Sequence, residues 1–524
     1  MKSLLSRHWT LILGVLLLLV LLTRLIALTA LPIFADESIY IRWAQLILDE
    51  PARYAFFALN DGKTPFFIWM LLPALHFISD PLWASRFVSV VAGVFQAWLL
   101  IRITLAIGGD RKAALISGLL GLVLPFWFFH QRMAIMDAWL SVFGSLMILG
   151  SIRLSQVVNT IATAKTSSVA QLRRFFADGS NTLVVVGTGV VAAAALYTKL
   201  PAVLIFPSVF VLQFFLTKRW RALILSWTLL ICSIGVGVML FGLLALHPAF
   251  PQLFSRGGDF LYSPIEVLQG EWRVTLPTAV RRSIELTSYV PIGVFVAIFF
   301  AVFLPGKRRS VLGLFLAGVV FVLPIFILGE VVYLRYLLPS AIFFTVAAGL
   351  SFSRLLSSRP HWLWRSVAAL AFVQVVISGG LFMIIQYTSP NDVPFPHSDD
   401  VQYLKEWSSG HGILEVFARV RDEASVNNTV YVATEGYFGT LPDALMVYAH
   451  ADKADYYKIE GIGQPVQAIP DLVKKEHASY DQFWLVVNSH RLKFVIEDQY
   501  LIAEYCRPDN APCLQLWNIT HLVK

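Results

Sequence analysis

Long apolar runs alternate with short polar connections from residue 9 to about residue 387. They fall at 9–31, 82–107, 113–130, 138–155, 182–198, 201–216, 221–246, 288–305, 310–328, 336–353 and 364–387. A helix needs roughly 18 or more apolar residues to reach across a bilayer, so the pattern predicts a polytopic α-helical membrane protein with about eleven transmembrane helices. The stretch 65–79 is apolar but short and holds Pro73, which predicts an interfacial or re-entrant helix. Counting it as a span would invert every later connection. Two connections, 32–81 and 247–287, are long and polar. From about residue 391 the pattern shifts to short strand-like runs at Thr429–Thr434, Asp455–Glu460 and Gln482–Asn488, alternating with helix-like segments at Pro442–His450 and Asp471–His477. That alternation predicts a small soluble α/β domain over 391–524, behind a transmembrane domain over 1–390.

Composition agrees with this reading. The chain is 57% hydrophobic and 14% charged, where a soluble domain carries about a quarter charged residues. The net charge of +8 could suggest nucleic acid, but the basic residues sit in short clusters between apolar runs. Lys2, Arg7, Arg111, Lys112, Lys165, Lys307, Arg308, Arg309 and Arg359 fall on alternate connections, while Asp36, Glu37, Asp61, Asp80, Asp137 and Glu330 fall on the others. This is the positive-inside pattern. It places the N-terminus in the cytoplasm, puts the C-terminal domain outside it, and argues against a nucleic-acid partner. The first run has no small-residue cleavage site and reads as a retained span. Arg24, near its outer end, is accounted for at least as well by snorkelling as by function. Three cysteines make no disulfide framework or zinc spacing. Cys506 and Cys513 are free to form one small-loop disulfide outside the membrane, and Cys232 is expected to pack within its span.

The candidate chemistry lies at the outer span ends. Asp36 and Glu37 follow the first run, and Lys63 stands in Gly62–Lys63–Thr64–Pro65. Arg132 and Asp137 belong to HQRMAIMDAW, Lys199 to YTKLP, and Tyr333 and Arg335 to EVVYLRYLLP. Ionisable groups at such positions are costly unless paired or functional. Each alone could be an interfacial anchor, but all of them fall on one side in short connections.

These features resemble the integral-membrane glycosyltransferases of the GT-C fold, specifically the GT39 protein O-mannosyltransferase and aminoarabinose (lipid A) transferase group. The matching residues are Asp36–Glu37, Gly62–Lys63–Thr64–Pro65 with Trp69, Arg86, the Arg132…Asp137 spacing, GTGVVAAAALYTKLP and YLRYLLP, over roughly residues 9–350. Thr64 departs from the family's two prolines after the lysine. The resemblance implies inverting transfer of a sugar from a polyprenyl-phosphate donor to a protein or glycolipid acceptor on the extracytoplasmic face of a plasma (inner) membrane. Such a reaction needs a base for the acceptor hydroxyl and cations for the departing phosphate. Asp36 is the candidate base, with Glu37 as neighbour. Lys63 is the first candidate for the donor phosphate, with Arg132, Lys199, Tyr333 and Arg335 as helpers. Asp137 would orient a partner or the sugar. A divalent metal is possible, though no spacing demands one.

Within the C-terminal domain, Thr434–Leu445 (TEGYFGTLPDAL) could bind an anion where a glycine-rich turn meets a helix, but it lacks GxGxxG and reads better as a plain strand–turn–helix corner. Recognition of the acceptor is a candidate role for this domain. The competing functional class is a transporter or flippase, which would place ionisable residues near the midplane and often repeat its halves. A non-catalytic scaffold is the third.

Overall fold

Backbone N–H and C=O groups in an apolar surrounding must be satisfied within their own segment, so long apolar runs close on themselves as helices. The structure, a computed structural model, describes residues 7–161, 168–303, 308–357, 362–452 and 456–524. Lys2, Lys165, Lys307, Arg359 and Asp455 lie outside the described residues. Among those described, seven helices are long and apolar enough to cross a membrane: Pro81–Ala106, Met136–Ile161, Gly179–Thr198, Trp220–Leu246, Arg308–Leu328, Leu334–Ser357 and Trp362–Thr388. An eighth span results if Pro264–Tyr289 and Ile292–Val302, bent by 100°, count together.

The remaining predicted spans are shorter or broken among the described residues. Trp9–Leu25 has 17 residues. The 113–130 run is divided at Leu124, which is extended ahead of Pro125, because a residue before proline is driven out of the helical region. The 201–216 run opens as a tight turn over Leu200–Leu204 before the helix Ile205–Leu216. Phe66–Phe77 runs unbroken through Pro73 for 12 residues, about 18 Å at 1.5 Å per residue, well short of a bilayer.

Contacts divide the chain into two compact units. One holds the residues up to Ile26, Phe56–Phe67 and Ser89–Ile385; the other holds Ala27–Ala55, Ile68–Val88 and Gln386–Lys524. In the first, helices Gly179–Thr198 and Trp220–Gly242 pack backbone to backbone. A Cβ on Gly189 would lie 2.7 Å from Val236 Cβ, and one on Gly237 2.7 Å from Ala192 Cβ. Small residues permit this approach where no hydrophobic effect drives helices together. Cys232 is a free, exposed thiol on the second of these helices, not a packed one as expected. The polar segment after it forms short turns at Phe250–Phe254 and Gly257–Asp259, then the helix Trp272–Tyr289.

The second unit is built on a five-stranded sheet of order β2-β1-β3-β5-β4. The strands are β1 (Val430–Glu435), β2 (Tyr457–Gly463), β3 (Gln482–Asn488), β4 (Leu501–Tyr505) and β5 (Leu514–Asn518). β2, β1 and β3 run parallel; β5 is antiparallel to β3 and to β4. Successive side chains point to opposite faces, and both faces are covered. Val430, Val432, Trp484 and Val486 join Val416, Phe417 and Val420 of helix Ile413–Glu423 and also Ile33, Ile41 and Leu82. Tyr431, Ala433, Phe483 and Leu485 pack with Val473 and Ile519 on the other face. The three expected strands are present within a few residues, whereas β4 and β5 were not anticipated. The first expected helix is present, a π turn over Thr440–Ala444 running into Leu445–Ala449, while the second contracts to Asp471–Lys475. Cys506 and Cys513, in the β4–β5 connection, are disulfide-bonded.

Candidate active site

In the second unit, Asp36 and Glu37 occupy the first turn of helix Ala35–Asp49, where unpaired backbone N–H groups favour carboxylates. Glu37 is fully buried. Its Oε1 accepts from Arg86 Nε at 2.8 Å and its Oε2 from Arg86 Nη2 at 2.7 Å, while Oε2 also accepts the Phe34 N–H at 3.0 Å. Arg86 further donates to the carbonyls of Leu28, Leu31 and Pro32 at 3.0, 2.8 and 2.9 Å. This bidentate pair commits Glu37 to holding the 28–37 stretch, and Asp36 stands half-buried beside it. The same stretch is sewn to the sheet domain: Ala35 N–H donates to Ser408 O at 3.0 Å, and Gly410 N–H to Ile33 O at 2.8 Å. Ser38 Oγ lies 2.8 Å from Gly439 O, and Gln45 Nε2 donates to Val447 O at 2.9 Å. Sequence reading did not find these partners, which are separated by about 400 positions and carry no motif.

In the first unit, Asp137 opens helix Met136–Ile161 and is buried. Its two carboxylate oxygens accept from Lys199 Nζ at 2.7 and 2.9 Å. Lys199 is extended between helix Gly179–Thr198 and the turn that follows. Its ammonium sits 4.5 Å from the centre of the Tyr336 ring. Arg335, itself buried, lies 4.4 Å over Tyr333 and 5.5 Å over Tyr336. Asp137, Lys199, Tyr333 and Arg335 are therefore brought together as one cluster, in which Tyr333 and Tyr336 meet edge to face at 5.6 Å. Tyr336, adjacent to two of them, was not singled out from sequence. Its position beside Arg335 in YLRYLLP was the available signal.

Lys63 follows Gly62, whose φ of +69° is one that side chains other than glycine's adopt with strain. Its Nζ lies 2.5 Å from Asp61 Oδ2, and Asp61 Oδ1 accepts from Arg256 Nη1 at 2.5 Å. Arg256 also pairs with Asp259 at 3.0 Å. The lysine thus belongs to a chain of alternating charges linking 57–63 to the polar segment after residue 247. Arg132 Nη1 reaches the carbonyls of Thr23, Arg24 and Ile26 at 3.2, 2.8 and 2.7 Å, at the C-terminal end of helix Trp9–Leu25. Arg24 does not snorkel. It is fully buried and donates to the carbonyls of Gly121 and Leu122 at 2.8 and 2.9 Å and to Gln131 Oε1 at 3.2 Å. Each arginine satisfies carbonyls that a helix end leaves without partners.

Glu504, Cys506 and Cys513 lie close enough to one another to hold a cation, but both sulfurs are spent in the disulfide and offer no thiolate.

No protein-family model and no curated protein sequence matches the chain. Solved structures do match. ArnT from Cupriavidus metallidurans in the apo state aligns over 99% of this chain and 99% of its own, with a TM-score of 0.53 at 15% identity. Its complex with undecaprenyl phosphate aligns over 98% of both chains, with a TM-score of 0.53 at 14% identity. The archaeal oligosaccharyltransferase AglB from Archaeoglobus fulgidus, in complex with an inhibitory peptide and a dolichol-phosphate, aligns over 92% of this chain and 70% of its own, with a TM-score of 0.52 at 12% identity. The fold is GT-C. The GT-C likeness extends through the sheet domain as well as the helices, since the ArnT alignment leaves almost nothing out. At this identity it carries the architecture and leaves the chemistry to the residues.

Proposed function

We propose that this GT-C chain is a glycosyltransferase that moves a sugar from a polyprenyl-phosphate donor to a hydroxyl of an acceptor. The observation that carries this reading is the buried Asp137–Lys199 pair with Arg335 and its two tyrosines. Lys199 and Arg335 are cations held in place by neighbouring groups, which suits a phosphate ligand, and fixed charges act without reorganising. Two structures of the same fold were solved with undecaprenyl phosphate and with dolichol-phosphate, which supports a polyprenyl-phosphate ligand here.

Asp36 accepts the proton of the acceptor hydroxyl as that oxygen attacks the anomeric carbon. The bond from that carbon to the phosphate oxygen breaks, and polyprenyl phosphate leaves as an anion. The leaving group is stable without protonation, so one base suffices and a single displacement inverts the anomeric centre. Lys199 and Arg335 hold the phosphate, with Lys63 and Tyr333 assisting. Asp137 orients Lys199, and Arg132 fixes the end of the first helix. Glu37, tied to Arg86, holds the turn that presents Asp36. The alternation of charged connections supports placing the N-terminus in the cytoplasm and the sheet domain on the extracytoplasmic face of the plasma membrane. The resemblance of Gly62–Lys63–Thr64–Pro65, GTGVVAAAALYTKLP and YLRYLLP to the GT39 group supports that branch of the fold.

The deciding experiment incubates purified wild type and Asp36→Asn with radiolabelled undecaprenyl-phosphate mannose, and separately with its aminoarabinose counterpart, in the presence of envelope extract. Donor binding is measured in parallel. Binding by both proteins with consumption by wild type alone is the expected result. Donor bound but consumed by neither sinks the enzyme reading.

A further inference from the structure

Wherever the acceptor binds, the hydroxyl it offers must come within hydrogen-bond reach of the base. Within the second unit, two elements pack on the turn that carries Asp36: the stretch holding Trp407–Gly410, which bonds to Ile33 and Ala35, and the stretch Gly436–Gly439 after β1. Ser38 Oγ lies 2.8 Å from Gly439 O, and a Cβ on Gly439 would fall 3.8 Å from Ala35 Cβ. Between the two glycines, Tyr437 and Phe438 are 68% and 53% exposed. Single exposed apolar side chains need no explanation. Two successive aromatics on a held turn beside a proposed base do.

The turn is held from both sides. Gly436 and Gly439 have φ of +75° and +97°. Gly436 N–H donates to Gly463 O at 2.8 Å, Gly439 N–H to Asp443 Oδ2 at 2.7 Å, and Thr440 Oγ1 to Trp407 O at 2.6 Å. At its base the buried Glu435 accepts from Asn488 N and Nδ2 at 2.8 and 2.6 Å and from Arg491 at 3.2 Å. β2 passes so close that a Cβ on Gly461 would lie 2.2 Å from Gly436 O. A turn whose backbone is fixed in this way loses less entropy when its side chains bind.

We propose that Tyr437 and Phe438 form the acceptor platform and that the acceptor is saccharide-bearing, one sugar ring lying on the aromatic faces while a neighbouring hydroxyl faces Asp36. This rests on the glycosyl-transfer reading. Aromatic rings offer a broad apolar face, and the tyrosine hydroxyl adds a polar contact suited to a ring that is apolar on its faces and hydroxylated at its edge. A tip made to enter an anionic bilayer carries Lys or Arg beside its aromatics. Thr434–Leu445 contains neither, and its charged residues are Glu435 and Asp443.

The test uses the full chain in lipid nanodiscs with the radiolabelled donor, lipid A in mixed micelles as the saccharide acceptor, and a threonine-containing hexapeptide in parallel. The exposed pair Tyr437→Ala/Phe438→Ala should leave the melting temperature, the donor KM and kcat at saturating acceptor as in wild type. It should raise the KM for lipid A at least tenfold, and Tyr437→Trp should restore it. An unchanged lipid A KM, or a rise confined to the peptide, overturns the proposal. So does strong quenching by spin-labelled lipid of a bimane attached to Tyr437→Cys in a Cys232→Ser background, which would place the tip in the bilayer. If wild type transfers sugar to neither acceptor, the glycosyl-transfer reading itself fails and takes this inference with it. Transfer by wild type with an unmoved KM removes the inference alone.

Discussion

At the residue scale, the two adjacent carboxylates behave differently because of what faces them. Glu37 and Arg86 are both buried and bonded in a fork, so removing one partner strands the other charge away from water. Arg86→Ala should therefore destabilise the chain by about 3–5 kcal/mol, read as a lowered unfolding midpoint. Replacing the pair together by Met and Leu should cost less than the single change, though more than nothing, because the carbonyls of Leu28, Leu31 and Pro32 also lose their donor. A single change as mild as an exposed substitution would remove Glu37 from its holding role. The adjacency of Asp36 and Glu37 was plain in the sequence. Their division of labour was not, since Arg86 lies 49 positions away and only the fold turns its guanidinium toward one carboxylate.

At the scale of elements, the sheet domain carries a pH dependence of its own. His411 and His490 both titrate below the ordinary imidazole range because burial disfavours the imidazolium; Arg507 adds to this at His411, and Arg491 at His490. Burial likewise lowers Arg507 to about 10. For each histidine the unfolded chain binds its proton more readily than the folded one. The stability is therefore complete above about pH 6.5 and is lost as the pH falls below it. Thermal unfolding of the full chain should move to lower temperature between pH 7.5 and pH 5. His411→Gln/His490→Gln should flatten that slope, and an identical slope in the double variant would rule these two histidines out. The strands themselves were legible where runs of β-branched and aromatic residues are long, as in β1 and β3. β4 and β5 escaped notice because each has 5 residues, too few for alternation to stand out.

At the scale of the whole molecule, the C-terminal domain is not an appendage behind a complete membrane domain. Ile33, Ile41 and Leu82 belong to the core cluster formed by the sheet and helix Ile413–Glu423. Removing residues 386–524 would expose all three side chains, a loss of about 5–9 kcal/mol at 1.5–3 kcal/mol each, comparable with the stability of a typical domain. A truncated chain should lose hydrogen-exchange protection and protease resistance across Ala35–Asp49. Full protection there after truncation would show that the helix stands without the sheet.

The sequence by itself determined that the chain is a helical membrane protein with a terminal α/β domain, because bilayer thickness and strand period are local constraints that each segment meets alone. It also marked nearly all the ionisable groups of the candidate site, since a charge at the end of an apolar run is conspicuous. Tertiary structure alone decided which charges meet. Lys199 was joined to Asp137 across 62 positions, Lys63 to Asp61 and through it to Arg256, and Ser38 to Gly439 across 401. Ion pairs and hydrogen bonds act over a few ångströms, and distance along the chain carries no record of that proximity.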